Sequence, residues 1–190
     1  MPTVFDVLGH DHDEVKRMLA ELEADPTAAT GASDSDLERR KKLVERLVIE
    51  ESKHEAVEEM YFWPAVRDKV PDGGQLADTA IEQEQEAKEV LDKLDKLDAG
   101  EPEFEQLVAT IIQAGRGHIR YEETQVWPQL RTALSAQEAS GLADKIEQGK
   151  KTAPTRPHPH APASPAALKT VGPAVAAADR VRDAASGRGD

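Results

Sequence analysis

Apolar residues recur every three or four positions through the first 150 residues and never alternate, so the pattern predicts helices and no strands. Phe5, Leu8, His12, Val15, Leu19 and Leu22 lie on one such stripe and predict a helix over about 4–24. A second is expected near 36–70, opened by Ser35 with Glu38 three residues on, the arrangement of a capping box. A third, near 75–98, carries Ala77, Ile81, Glu84, Leu91 and Leu94 on one face. The fourth, near 103–131, starts beside Pro102, whose missing N–H costs nothing in a first turn. Ser135 with Glu138 opens a short fifth helix over about 135–149. Asp25-Pro26, Asp72-Gly73-Gly74, Gly100 and Gly149 mark the breaks. Short connections make successive helices antiparallel, so the expected fold is all-α: an up-down-up-down four-helix bundle with a short fifth helix.

The pattern changes after residue 150. Six of the 12 prolines fall at Pro154, Pro157, Pro159, Pro162, Pro165 and Pro173, among many alanines. Such a segment buries too little apolar surface to offset its ordering entropy. Residues 1–150 are therefore read as the bundle domain and 151–190 as a flexible tail with a weak helix around 174–185. The whole chain carries 24 Lys and Arg against 37 Asp and Glu, a net charge of −13. That balance argues against nucleic acid or an anionic membrane as partner. No apolar span of membrane length is present, and no base precedes Lys16, which leaves a cytoplasmic protein, a monomer or weak homodimer, as the expectation. The absence of cysteine excludes disulfides, iron–sulfur clusters, thiolate zinc sites and thiol catalysis.

The chemistry lies in a duplicated block. Residues 54–64 read HEAVEEMYFWP and residues 118–128 read HIRYEETQVWP. His54/His118, Glu58/Glu122, Glu59/Glu123, Trp63/Trp127 and Pro64/Pro128 agree at a constant offset of 64. A His and a Glu at i and i+4 share a helix face and can grip one ion together. The second and fourth helices run parallel in such a bundle, so the two pairs should sit at similar depth. The first and third helices echo each other at an offset of 72, where His12, Val15, Leu19 and Leu22 correspond to Glu84, Ala87, Leu91 and Leu94. In each, a polar residue interrupts an apolar stripe. Counting the rise of about 1.5 Å per residue across the turn brings Glu84 level with His118.

Six groups are thereby nominated as metal ligands: His12, His54, Glu58, Glu84, His118 and Glu122. Buried without compensation, such a set is costly. A pair of iron ions fits it, since imidazole suits iron and carboxylates bridge metals about 3.5–4 Å apart. Zinc and manganese rank behind iron, and one tetrahedral zinc needs fewer ligands than the six present. Among the neighbours, His10 falls off the apolar stripe and is expected in solvent. Gln85 or Glu86 would replace Glu84 under a register shift. Glu59, Glu123 and Glu51 are read as outward-facing or supporting acids. Tyr121 is read as a packing residue, with a proton- or electron-donor role as the alternative. Trp63-Pro64 and Trp127-Pro128 are read as packing residues, with each proline interrupting its helix.

The pattern resembles the hemerythrin-like family, specifically the bacterial HHE cation-binding domains: Asp11-His12 on the first helix, His54 with Glu58-Glu59 on the second, and His118 with Glu122-Glu123 on the fourth. The likeness spans about residues 4–131. It implies a non-heme diiron centre, bridged by oxo or hydroxo, that meets O2, hydrogen peroxide or NO as its small-molecule ligand. The departure is in the third helix, where Glu82-Gln83-Glu84-Gln85-Glu86 stands in place of the family's His. An anionic oxygen donor favours the higher oxidation state. The expectation is a low-potential site suited to oxidation or peroxide turnover, as in a catalase-, peroxidase- or oxidase-like oxidoreductase, rather than to reversible O2 carriage. The competing readings are a non-catalytic O2, NO or iron sensor, an iron-sequestering protein, and a bundle that loads no metal.

Overall fold

A computed structural model describes residues 1–160, 165–186 and 188. Among these residues there is no strand, and four helical runs build the bundle. They are α1 (Val4–Ala24), α2 (Asp34–Val57) continued by α3 (Trp63–Lys69), α4 (Gly73–Leu94), and α5 (Pro102–Tyr121) continued by α6 (Trp127–Ala133). In both continued runs a five-residue π-helical turn, Glu58–Phe62 or Glu122–Val126, joins the two parts. Helix α7 (Ala136–Lys150) is the expected fifth helix and lies along α1 and α2. α1 contacts α2, α2 contacts α4, α4 contacts α5, and α5 returns to α1, which closes the four-membered ring.

One local expectation is corrected. The cap of α2 is Ser33, whose hydroxyl accepts from the Asp36 amide while the Asp36 carboxylate receives the Ser33 N–H at 3.0 Å. The box is therefore two residues earlier than Ser35 and Glu38, because Asp serves the reciprocal role as well as Glu. Pro64 and Pro128 each coincide with an interruption of the α-helical pattern, as expected, without ending the run. The π-turn ahead of each widens the ring, with the Trp63 amide bonded to the Glu58 carbonyl and that of Trp127 to the Glu122 carbonyl. The extra residue absorbs the proline's missing donor and ring clash, and the helix resumes.

The core falls into two apolar halves. One holds Leu8, Phe62, Trp63, Val66, Ala77, Ala80, Val126, Trp127 and Ile146; the other holds Val15, Leu19, Val44, Leu47, Leu91, Leu94, Phe104 and Ile111. On α1 and α4 the nominated residue lies between the two sets: His12 between Leu8 and Val15, Glu84 between Ala80 and Leu91. The polar layer thus sits at mid-height with apolar packing above and below.

Beyond α7, the helix expected over 174–185 is longer, running Pro165–Ser186 as α8 and packing against the Glu58–Phe62 turn. Ala153 is fully buried in the bundle core. Arg156 pairs with Asp95 at 3.1 Å and with Asp183 at 2.8 Å, and the Thr155 hydroxyl donates to Asp183. No helix among the described residues is long and apolar enough to cross a membrane.

Candidate metal centre

The structure brings all six nominated side chains together in two overlapping groups. His12, His54, Glu58 and Glu122 offer donor atoms that all lie within 4.8 Å of one another, and so do Glu58, Glu84, His118 and Glu122. Glu58 and Glu122, which open the two π-turns, belong to both groups. Glu84 occupies the third-helix position; Glu86 is exposed, and the Gln85 amide donates 2.7 Å to the Pro159 carbonyl instead. His10 is exposed, as its helical phase requires. Tyr121 is half-buried, and its hydroxyl donates 3.2 Å to the Leu76 carbonyl, which gives it an anchoring role.

Each imidazole is held from outside by its Nδ1. His12 Nδ1 meets Glu123 Oε1, His54 Nδ1 meets Asp11 Oδ2 and His118 Nδ1 meets Gln83 Oε1, all at 3.1 Å. Such outer bonds fix the tautomer and turn Nε2 inward. The inward atoms then converge. Glu122 spans two histidines, with Oε2 at 3.1 Å from His12 Nε2 and Oε1 at 3.0 Å from His118 Nε2; Glu58 Oε2 lies 3.3 Å from His54 Nε2. None of these contacts has the alignment of a hydrogen bond, so the three Nε2 atoms and both oxygens of Glu58 and of Glu122 are buried without a hydrogen-bond partner. Glu84 gives Oε1 to the Trp63 indole N–H at 2.5 Å and leaves Oε2 in the same orphaned condition. Buried polar atoms are normally paired. Here the orphans are all electron-pair donors aimed at common points, and a cation is the species that would satisfy them together.

The proton balance of the metal-free cluster agrees. Burial, reinforced by the charges of Glu122 and Glu84, pushes the Glu58 carboxyl well above its ordinary range. Burial also raises Glu84, to about 8, although His118 and Lys88 pull it down. Glu122 goes the other way, because His118 and His12 outweigh its burial and hold it below the usual carboxylate range. His118 in turn is raised to about 9, the charge of Glu122 overcoming the burial that opposes protonation. Protons thus occupy part of the space between the ligands, and a cation must displace them.

The offset of 72 extends further than the apolar stripe. Asp11, His12 and Lys16 correspond to Gln83, Glu84 and Lys88. Lys16 donates 2.7 Å to Glu123, the carboxylate that holds His12. Lys88 bonds Glu59, the repeat-mate of Glu123. Glu84, a carboxylate where α1 has His12, offers Glu59 no Nδ1–H, and Lys88 bonds that carboxylate instead. The spacing of the two lysines was a readable sequence signal. Nothing in the pattern pointed to Gln83 as a histidine partner, or to Lys150 of α7, which pairs with Asp11 behind His54. Glu51, one turn before His54, is buried and not snorkelled into solvent.

A profile of the hemerythrin HHE cation binding domain family matches residues 3–130. An uncharacterized hemerythrin-like protein of Schizosaccharomyces pombe is 27% identical over 184 residues, covering 96% of this chain and 86% of its own length. The crystal structure of a hemerythrin HHE cation binding domain-containing protein from Mycobacterium kansasii superposes with a TM-score of 0.63 at 20% identity, over 80% of this chain and 89% of that one, a likeness of fold. With the family matched over most of its length and a buried His/Glu cluster able to hold a metal at its centre, the chain belongs to the hemerythrin HHE cation-binding domain family.

Proposed function

We propose that the chain is a non-heme diiron protein that binds and reacts with O2 or hydrogen peroxide in an oxygen-related or oxidative-stress role. The observation that supports it is the pair of overlapping donor groups sharing two carboxylates. One iron would be held by His12 and His54, the other by Glu84 and His118, with Glu58 and Glu122 common to both. Irons bound there would supply the redox chemistry toward a small oxidant.

The protein's own part is preparation. Apolar side chains above and below keep bulk water from the layer, so its charges act in a low dielectric. Asp11, Glu123 and Gln83 fix the imidazoles before any ligand arrives. Lys16 and Lys150 offset the charge of the two outer carboxylates. The carboxylate of Glu84 supports turnover over reversible O2 carriage, since an anionic donor stabilises the ferric state. Tyr121, with its hydroxyl on the Leu76 carbonyl, is assigned an anchoring role.

The test is metal content and turnover on one preparation. Protein purified without chelator is expected to carry two irons per chain and to decompose peroxide, and His54→Ala to lose both. Equal peroxide rates in the two proteins would remove the enzymatic half of the proposal and leave a binding protein.

A further inference from the structure

The two donor groups are not alike. The Glu58 and Glu122 carboxylates are common, so the difference rests on the remaining pair: two imidazoles, His12 and His54, on one side, and a carboxylate with one imidazole, Glu84 and His118, on the other. The surroundings differ in the same sense. His12 and His54 each give Nδ1 to a carboxylate, and each carboxylate is paired with a lysine: Glu123 with Lys16, Asp11 with Lys150. A carboxylate behind an imidazole makes its inward nitrogen a stronger donor. Across the layer the supports are neutral, the Gln83 amide oxygen on His118 and the Trp63 indole on Glu84. His12 is further backed by the Trp127 ring, stacked at 4.9 Å between centroids and 12° between planes, and it meets the His54 ring edge-on at 5.0 Å.

We infer that the centre is two cation positions of different preference: an imidazole-rich one at His12 and His54 for a borderline cation such as Zn2+ or Fe2+, and a carboxylate-rich one at Glu84 and His118 for a harder cation such as Mn2+ or Fe3+. Nitrogen donors suit zinc and ferrous iron, and oxygen donors suit manganese and ferric iron. Two imidazoles and two carboxylates also meet the four-coordinate habit of zinc. Filling is therefore ordered, and the chain sorts a mixture of metals that an equal pair of positions would scatter. This inference rests on the two-metal reading above.

The experiment uses the metals themselves on the full chain. Chelator-stripped protein receives one equivalent of Zn2+, then excess Mn2+, and is freed of unbound metal. Metal analysis is expected to give one zinc and one manganese per chain. The manganese electron paramagnetic resonance spectrum should be that of isolated ions, and anomalous scattering at the zinc edge should place zinc against His12 and His54. Zinc pairs with spin-coupled manganese pairs, or zinc against Glu84 and His118, would overturn the inference while leaving a two-metal centre intact. A chain that holds only one cation in all overturns both readings. Glu84→His makes the two donor sets alike and should abolish the sorting; a variant that sorts as the native chain does would show that the carboxylate is not the cause, and the inference fails.

Discussion

Trp63 and Trp127 are repeat-mates, yet their indole N–H groups meet different fates. Trp63 donates to Glu84, whereas Trp127 packs on His12 and its Nε1 has no hydrogen-bond partner. Both rings are buried, so Trp63→Phe and Trp127→Phe remove similar ring volume, and the difference between them isolates one hydrogen bond. The ring loss itself costs about 1–2 kcal/mol in each, at the low end for large-to-small core changes. Without metal at neutral pH Glu84 is still protonated, and loss of the bond should cost Trp63→Phe about a further 1 kcal/mol. Above pH 8 the carboxylate is charged, and the increment should grow to about 1.5–3 kcal/mol. In the metal-loaded chain, freeing Glu84 from its support should weaken the carboxylate-rich position by roughly 10–100-fold. Urea unfolding followed by circular dichroism at two pH values gives the first pair of numbers, and competition with a chelator gives the third. If the two variants match in stability at both pH values and in retention of the second cation, the bond to Glu84 does nothing and the reasoning is wrong.

Lys150→Met should loosen Asp11 and through it His54: we expect a loss of about 1 kcal/mol for a partly exposed pair and a several-fold faster loss of metal, with Lys150→Arg restoring both. The metal-free protein should become less stable as pH rises. Glu84, raised from 4.5 to about 8, and His118, raised from 6.5 to about 9, leave the folded chain with more bound protons than the unfolded one. Of this pair, both act between pH 6.5 and 8 and His118 continues towards 9, with the raised Glu58 carboxyl acting in the same direction, each excess proton lowering stability by up to about 1.4 kcal/mol per pH unit. A urea midpoint that rises over that interval contradicts the assignment. Gly73→Ala would place its Cβ 2.1 Å from the Val66 carbonyl oxygen at the start of α4 and should cost about 1–3 kcal/mol by thermal melting, whereas Gly74→Ala, with only the end of Arg67 at 3.9 Å, should be near neutral.

What could be read from the chain alone was what repeats locally. A three-to-four spacing marks helix faces whatever those faces later touch, and it predicted five helices whose bounds lie within a few residues of those observed. His and Glu four apart share a face by helix geometry, so the duplicated block placed both pairs before any packing was known. Counting rise across a turn brought Glu84 to the right depth. What the chain could not supply is how each helix is rotated against its neighbours, because a one-residue error there turns a side chain by about 100°. Only the folded bundle decided that Gln83 backs His118, that Trp63 donates to Glu84 while Trp127 stacks on His12, and that Glu59 turns to Lys88. The π-turns are a tertiary outcome too, since proline demands relief and packing chooses its form. Lys150 is the extreme case: it stands 139 residues from Asp11, and no pattern of local spacing encodes a contact made by docking a fifth helix on the first.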